Sequence, residues 1–327
     1  VSKPKVAFIG TGGTIASLGP TPLTPMDYGG PGRIMQAGDI LARFPEVHEV
    51  AEVFAVPFTA VASHRITFAE WLSLVRECDR LVAAHPDLAG IVIGHGTATM
   101  EETAYFLSLT LKVSIPVVMV GSQRPASALS TDAGLNLVNA VRVAASPDAR
   151  GLGVLVVLND EISAAREVTK TSTTRLQTFR TPDFGVLGHA DGDAVAFYRR
   201  PVRRVYPGTE FDVRGLDALP RVDIALSYVG ADATAVEAFV AAGARGIISA
   251  GFAPGSPTEA EFEALAEAVK AGVTVVQSTR VGSGRLFRGR RMREAGFLIA
   301  DNLTPQKARI LLALALTCTS DPGEIER

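Results

Sequence analysis

The 327 residues exceed the roughly 250–300 at which a single hydrophobic core stops growing, so two domains of unequal size are expected. Hydrophobic residues at 47% and charged residues at 20% exclude a disordered or fibrous chain. The 32 basic and 34 acidic residues leave no net field to gather nucleic acid or an anionic membrane surface, which favours a small-molecule partner. Two cysteines, Cys78 and Cys318, are too few for a disulfide framework, and no apolar run reaches the roughly 18 residues of a membrane span. The chain enters a strand-like VAFI at 6–9 with no signal-type segment before it, as in a cytoplasmic protein or an exported one whose leader has been cleaved.

In chain order, short β-branched runs alternate with amphipathic stretches. Strands are predicted at 6–9, 90–93, 116–120, 153–158, 222–226, 246–249 and 273–277. Helices are predicted at 68–84, 101–109, 133–144, 233–242 and 259–271. This order implies an α/β fold: a large N-terminal α/β domain with a mostly parallel sheet covered on both faces, and a smaller C-terminal α/β domain. The stretch 199–220 is rich in proline and arginine and lacks an amphipathic period, so it is placed as a linker between domains 1–198 and 221–327.

In such sheets ligands bind beyond the carboxyl ends of the strands, which directs attention to the loops at 10–14, 94–99 and 121–125. The first reads Gly10-Thr11-Gly12-Gly13-Thr14. It lacks the lysine of a phosphate-binding loop and the third glycine of a dinucleotide fingerprint, leaving the hydroxyls of Thr11 and Thr14 as nucleophile candidates beside a capping or turn role. The second runs from Gly94 through His95, Gly96 and Thr97 into Glu101 and Glu102. The two carboxylates suit the positive start of a helix better than a paired acid and base, because consecutive helical residues do not face one another. His95 reads as a hydrogen-bonded loop histidine or as a base.

Lys170 lies in the hydroxyl-rich VTKTSTT at 168–174. A solvated lysine is the ordinary reading, but enclosure beside Thr97 would lower its pKa and let it take a proton from a hydroxyl. The five histidines show no metal-ligand spacing, and no serine-hydrolase elbow of the form G-x-S-x-G occurs, so neither a metal nor another cofactor is called for.

Taken together, GTGGTIA at 10–16, GIVIGHGTATMEETAYFL at 90–107, PVVMVGSQRP at 116–125 and VTKTSTT at 168–174 closely resemble the bacterial L-asparaginase (asparaginase/glutaminase) family. The likeness continues through DAGLNLVNAV at 132–141 and NLTPQKARILLALALT at 302–317. The resemblance implies hydrolysis of side-chain amides through an acyl-enzyme on threonine, without a cofactor. It also implies a homotetramer of paired dimers, in which the C-terminal domain contributes to a neighbouring subunit's site. On its motifs the catalytic residues are Thr14, Thr97, Lys170 and Tyr28, the last in MDYGGPG. The substrate-binding positions are Ser63 and His64 in VASHRIT, Gly96 and Ala98 in HGTAT, and Ser256 in APGSP.

Departures from the family pattern cluster at one function. Ala98 replaces the aspartate of HGTDT, His64 replaces the glutamine of SQD, and the strongly basic stretch 285–293 offers no counterpart to the acidic residue expected there. In the family these three groups hold the substrate's α-ammonium. Losing a charge-assisted hydrogen bond to a buried ammonium costs on the order of 2–4 kcal/mol, about 30- to 1000-fold in specificity. The expectation is therefore an amidohydrolase acting on a carboxamide without a free α-ammonium. An ordinary L-asparaginase with a modified pocket is the alternative, and a binding or regulatory homologue without turnover stands for a different class.

Overall fold

The computed structural model describes residues 2–28 and 34–327, which form two compact units, Val1–Gly215 and Leu216–Arg327. In the first unit the chain runs β1 (Lys5–Gly10), α1 (Ala37–Arg43), α2 (Val47–Val50), β2 (Glu52–Val56), α3 (Phe68–Ala84), β3 (Leu88–Gly94), α4 (Met100–Thr110), β4 (Val117–Val120), α5 (Ala133–Ala145) and β5 (Val154–Leu158). Short strands follow: β6 (Glu161–Ala164), β7 (Thr169–Lys170), β8 (Phe179–Arg180), β9 (Gly188–Ala190) and β10 (Val195–Phe197).

Eight strands make one sheet in the order β10-β9-β6-β5-β4-β3-β1-β2. The pairs from β2 through β5 are parallel, and β6, β9 and β10 extend the sheet antiparallel. Strands β5 and β6 form a hairpin around Asn159 and Asp160, whose φ angles of 53° and 64° suit a tight two-residue turn. Asn and Asp tolerate that left-handed backbone, and each is tied to α5: Asn159 N donates to Asn136 Oδ1 at 2.9 Å, and Asp160 Oδ1 accepts from Asn139 Nδ2 at 2.9 Å. The mostly parallel expectation holds for the centre of the sheet.

The central strands are buried on both faces, which is why they read as unbroken apolar runs. Helix α3 starts at a capping box in which Thr67 and Glu70 satisfy each other's backbone N–H groups. Its Trp71 stacks on Phe106 of α4 at 4.6 Å and donates Nε1–H to Thr103 at 2.9 Å. β1 has β2 on one side and β3 on the other, so the strand order reverses there and opens a crevice at the carboxyl ends of β1 and β3.

The stretch 199–220, expected as a linker, is largely part of the first unit, which runs to Gly215. Tyr206 is buried, accepting from Val117 N at 2.9 Å and donating to Ile115 O at 3.0 Å, while Thr209 donates to Leu109 O at 2.7 Å. Anchoring side chains of this kind leave no compositional mark among prolines and arginines.

The second unit holds β11 (Val222–Leu226), α6 (Thr234–Ala241), β12 (Gly246–Gly251), α7 (Glu259–Lys270), β13 (Thr274–Thr279), α8 (Arg290–Glu294), β14 (Leu298–Ile299), α9 (Pro305–Cys318) and α10 (Pro322–Glu326). Its four strands are all parallel, in the order β11-β12-β13-β14. Val236, Leu265, Ile247, Val275 and Phe297 meet in a core of its own. Among the described residues no helix is long and apolar enough to cross a membrane.

Candidate active site

Two loops meet at the switch point of the first sheet. The loop after β1 turns through Gly12 and Gly13, both at positive φ, into a short 3-10 turn at Thr14–Ala16. A side chain at Gly13 would stand 2.2 Å from Gly96 Cα, so glycine is required where the loop after β3 crosses it. A side chain at Gly96 would in turn stand 2.6 Å from Ser63 Oγ. Residues 13, 63 and 96 are thus in contact, and Thr14 and Thr97 follow directly on two of them. Hydrogen bonds fix the crossing: Thr11 donates both its N–H and its hydroxyl to Gly94 O, at 2.8 and 3.0 Å.

Both threonines are buried, and each hydroxyl has a second side chain against it. Thr14 Oγ1 lies 2.9 Å from Tyr28 Oη, with either atom able to donate. Lys170 Nζ donates to Thr97 Oγ1 at 2.7 Å. The lysine reaches Thr97 from β7, where it pairs with Phe179 of β8, and its backbone N–H donates to Glu101 Oε2 at 2.6 Å. Burial pulls the Lys170 pKa below the usual lysine value, partly opposed by the Glu101 carboxylate. A lysine so placed exists more readily as the neutral amine, which can accept a proton from a hydroxyl.

Sequence reasoning assigned Glu101 to the helix start. It is there, in the first turn of α4, but it is also buried and holds the Lys170 backbone, a contact spanning 69 residues that no local pattern announces. His95 is fully buried, with Nδ1 2.7 Å from Gly96 O, so the reading as an open base does not hold. The third loop is a support: Gln123 N and Arg124 N each donate to the Asp132 carboxylate at 2.9 Å at the start of α5.

Ser63 is buried at the head of a short 3-10 turn, and its carbonyl accepts from Thr99 Oγ1 at 2.9 Å. His64 and Ala98, the next residues along their loops, are exposed. Ser256 belongs to the second unit, where it bridges to Phe252 and lines a cavity of about 250 Å³ with Phe262, Phe287 and Arg290. The basic stretch of that unit is mostly neutralised: Arg285 pairs with Asp301, Arg288 with Glu326, Arg290 with Glu294 and Arg291 with Glu259. Among the described residues no cluster of three His, Cys, Asp or Glu is placed to hold a metal ion.

The family model for the asparaginase N-terminal domain matches residues 5–203, and that for the glutaminase/asparaginase C-terminal domain matches residues 221–327. The chain belongs to the asparaginase family. It is 42% identical over 323 residues to L-asparaginase 2 of Bacillus subtilis, covering 99% of this chain and 85% of the relative. It is 40% identical over 327 residues to a glutaminase-asparaginase of Pseudomonas fluorescens, covering 98% and 89%. A crystal structure described as a probable cytoplasmic L-asparaginase from Campylobacter jejuni superposes with a TM-score of 0.94 at 38% identity, covering 99% of this chain and 98% of that one. As a member of this asparaginase family the protein is an amidohydrolase of linear amides, and its two-unit α/β architecture is the family's.

Proposed function

We propose that the enzyme hydrolyses a linear side-chain carboxamide through an acyl-enzyme on Thr14. What supports this is the pairing of two adjacent threonine hydroxyls with separate proton partners, Thr14 with Tyr28 at 2.9 Å and Thr97 with Lys170 at 2.7 Å. Thr14 Oγ1 attacks the amide carbon and passes its proton to Tyr28 Oη, which gives its own to the departing nitrogen, so ammonia leaves and an ester remains. Water then attacks the ester, losing a proton through Thr97 to the neutral Lys170 amine. Collapse of the tetrahedral adduct expels Thr14, which recovers that proton, and the acid is released. Backbone N–H groups of the Gly96–Thr97–Ala98 turn stabilise the developing oxyanion.

In this reading Ser63 holds a carboxylate of the substrate, and the substrate carries no free α-ammonium. Ala98 offers a methyl group where the family pattern has a carboxylate, and exposed His64 offers no anion. The enzyme works as a homotetramer of paired dimers, to which the second unit contributes Ser256. A second reading, turnover of L-asparagine itself, is favoured by the activities for which the relatives are named and by the full-length likeness. Ammonia release from succinamate, N-acetyl-asparagine, L-asparagine and L-glutamine separates the two. The expected result is a kcat/KM for succinamate or N-acetyl-asparagine at least about 30-fold above that for L-asparagine, the lower bound for one lost charge-assisted hydrogen bond. The reverse order establishes the second reading instead.

A further inference from the structure

We propose that His95 is a positioning residue that aims the Thr97 N–H at the reacting carbonyl by holding the Gly96 carbonyl at the other end of the same peptide plane. The inference rests on the amidohydrolase reading above and adds to it the device that sets the oxyanion donor.

The His95 ring is completely buried, and its Nδ1 stands 2.7 Å from Gly96 O. A carbonyl oxygen only accepts, so Nδ1 carries the proton and Nε2 is left with its lone pair. That lone pair is buried and meets no donor among the described residues. Burial also pulls the ring's pKa down to about 4, so the imidazole is neutral throughout the range where the enzyme would work. An apolar side chain of the same shape would avoid an unsatisfied nitrogen, so the use of histidine here lies in the bond it does make.

That bond ends on a single peptide. The Gly96 carbonyl and the Thr97 N–H belong to one planar unit and point in opposite directions, so fixing one end fixes the other. The restraint matters most beside glycine, which lets its flanking peptides rotate freely. Donation to the carbonyl also polarises the peptide and strengthens its N–H as a donor. The ring hangs from a rigid support, because His95 N donates to Val120 O at 2.8 Å at the end of β4. Thr97 is buried and bonds Lys170 through its hydroxyl, while its amide has no acceptor among the described residues. The N–H is therefore held ready for charge that arrives with the substrate.

The test compares His95→Phe, which removes the donor, with His95→Asn, whose amide can reach the same carbonyl, and His95→Gln, whose amide falls at the Nε2 position. For each, kcat, KM, the single-turnover acylation rate and the melting temperature are measured on the preferred amide. His95→Phe is expected to slow acylation and kcat about 100-fold, as loss of an oxyanion donor does, with KM within about threefold. His95→Asn is expected to recover to within about tenfold of the unmodified enzyme, and His95→Gln is not. If His95→Phe does not fold, the Asn and Gln pair carries the comparison. A His95→Phe enzyme with acylation within about twofold of normal, or Asn and Gln variants equally slow at normal melting temperature, overturns the proposal. Turnover that is unchanged by Thr14→Ala overturns the acyl-enzyme mechanism itself, and is read separately.

Discussion

Thr14 and Thr97 stand at the buried ends of β1 and β3, each hydroxyl held against a second side chain, whereas Ala98 and His64 stand in solvent one residue beyond Thr97 and Ser63. The first region is over-determined. Gly13 and Gly96 admit no side chain, His95 is wedged beneath the turn, and Glu101 ties the lysine strand to α4. The second region is exposed, and substitution of an exposed side chain away from such contacts usually changes stability by no more than about 0.5 kcal/mol. On the proposed assignment, the groups that need fixed geometry are built into the crossing of two loops, while those that would recognise the rest of the substrate sit where they can change without disturbing the fold. Substrate choice could then drift while the proposed hydrolytic centre stays.

The largest effect that could break this comparison is at Lys170. Lys170→Met keeps the length of the side chain and removes its amine, and is expected to lower kcat about 10²- to 10⁴-fold, with KM falling alongside it because slowed deacylation lets the acyl-enzyme accumulate. The pH dependence gives the sign. In the proposed mechanism the neutral amine is the active form in deacylation, so kcat rises with pH through the Lys170 pKa, which burial places below the usual lysine value. In Lys170→Met this limb should vanish. In Glu101→Gln it should move to lower pH, because the carboxylate that raises the lysine's pKa has lost its charge. A pH–rate profile unchanged in both variants would show that Lys170 does not carry the proton.

A smaller effect sharpens the other half. Ala98→Asp places a carboxylate at the exposed rim and is expected to raise kcat/KM for L-asparagine about tenfold or more relative to succinamate, with the melting temperature unchanged. No change in that ratio would detach substrate choice from position 98.

Much of this architecture is legible in the chain. Central parallel strands are buried on both faces and must be continuously apolar, which is why 90–93 and 116–120 stand out. The outer strands β6, β9 and β10 are three or four residues long and carry no such pattern, so the antiparallel extension is invisible. Helix α9 comes to attention only through the family likeness of 302–317. At the site, Thr14 and Thr97 are marked by glycine-rich loops after strands, but Lys170 is 73 residues from Thr97, and their 2.7 Å contact is a product of the tertiary fold. Glu101 was hidden for the opposite reason: a carboxylate at a helix start already has a local explanation, which masks its second partner.

The most direct measurement of the central claim is the mass of the enzyme itself, quenched in acid within the first turnover of its preferred amide. The account predicts an increment of one acyl group on the peptide that carries Thr14, lost in Thr14→Ala. An acyl group on the peptide that carries Thr97, or steady turnover with no increment at any quench time and unchanged by Thr14→Ala, contradicts it.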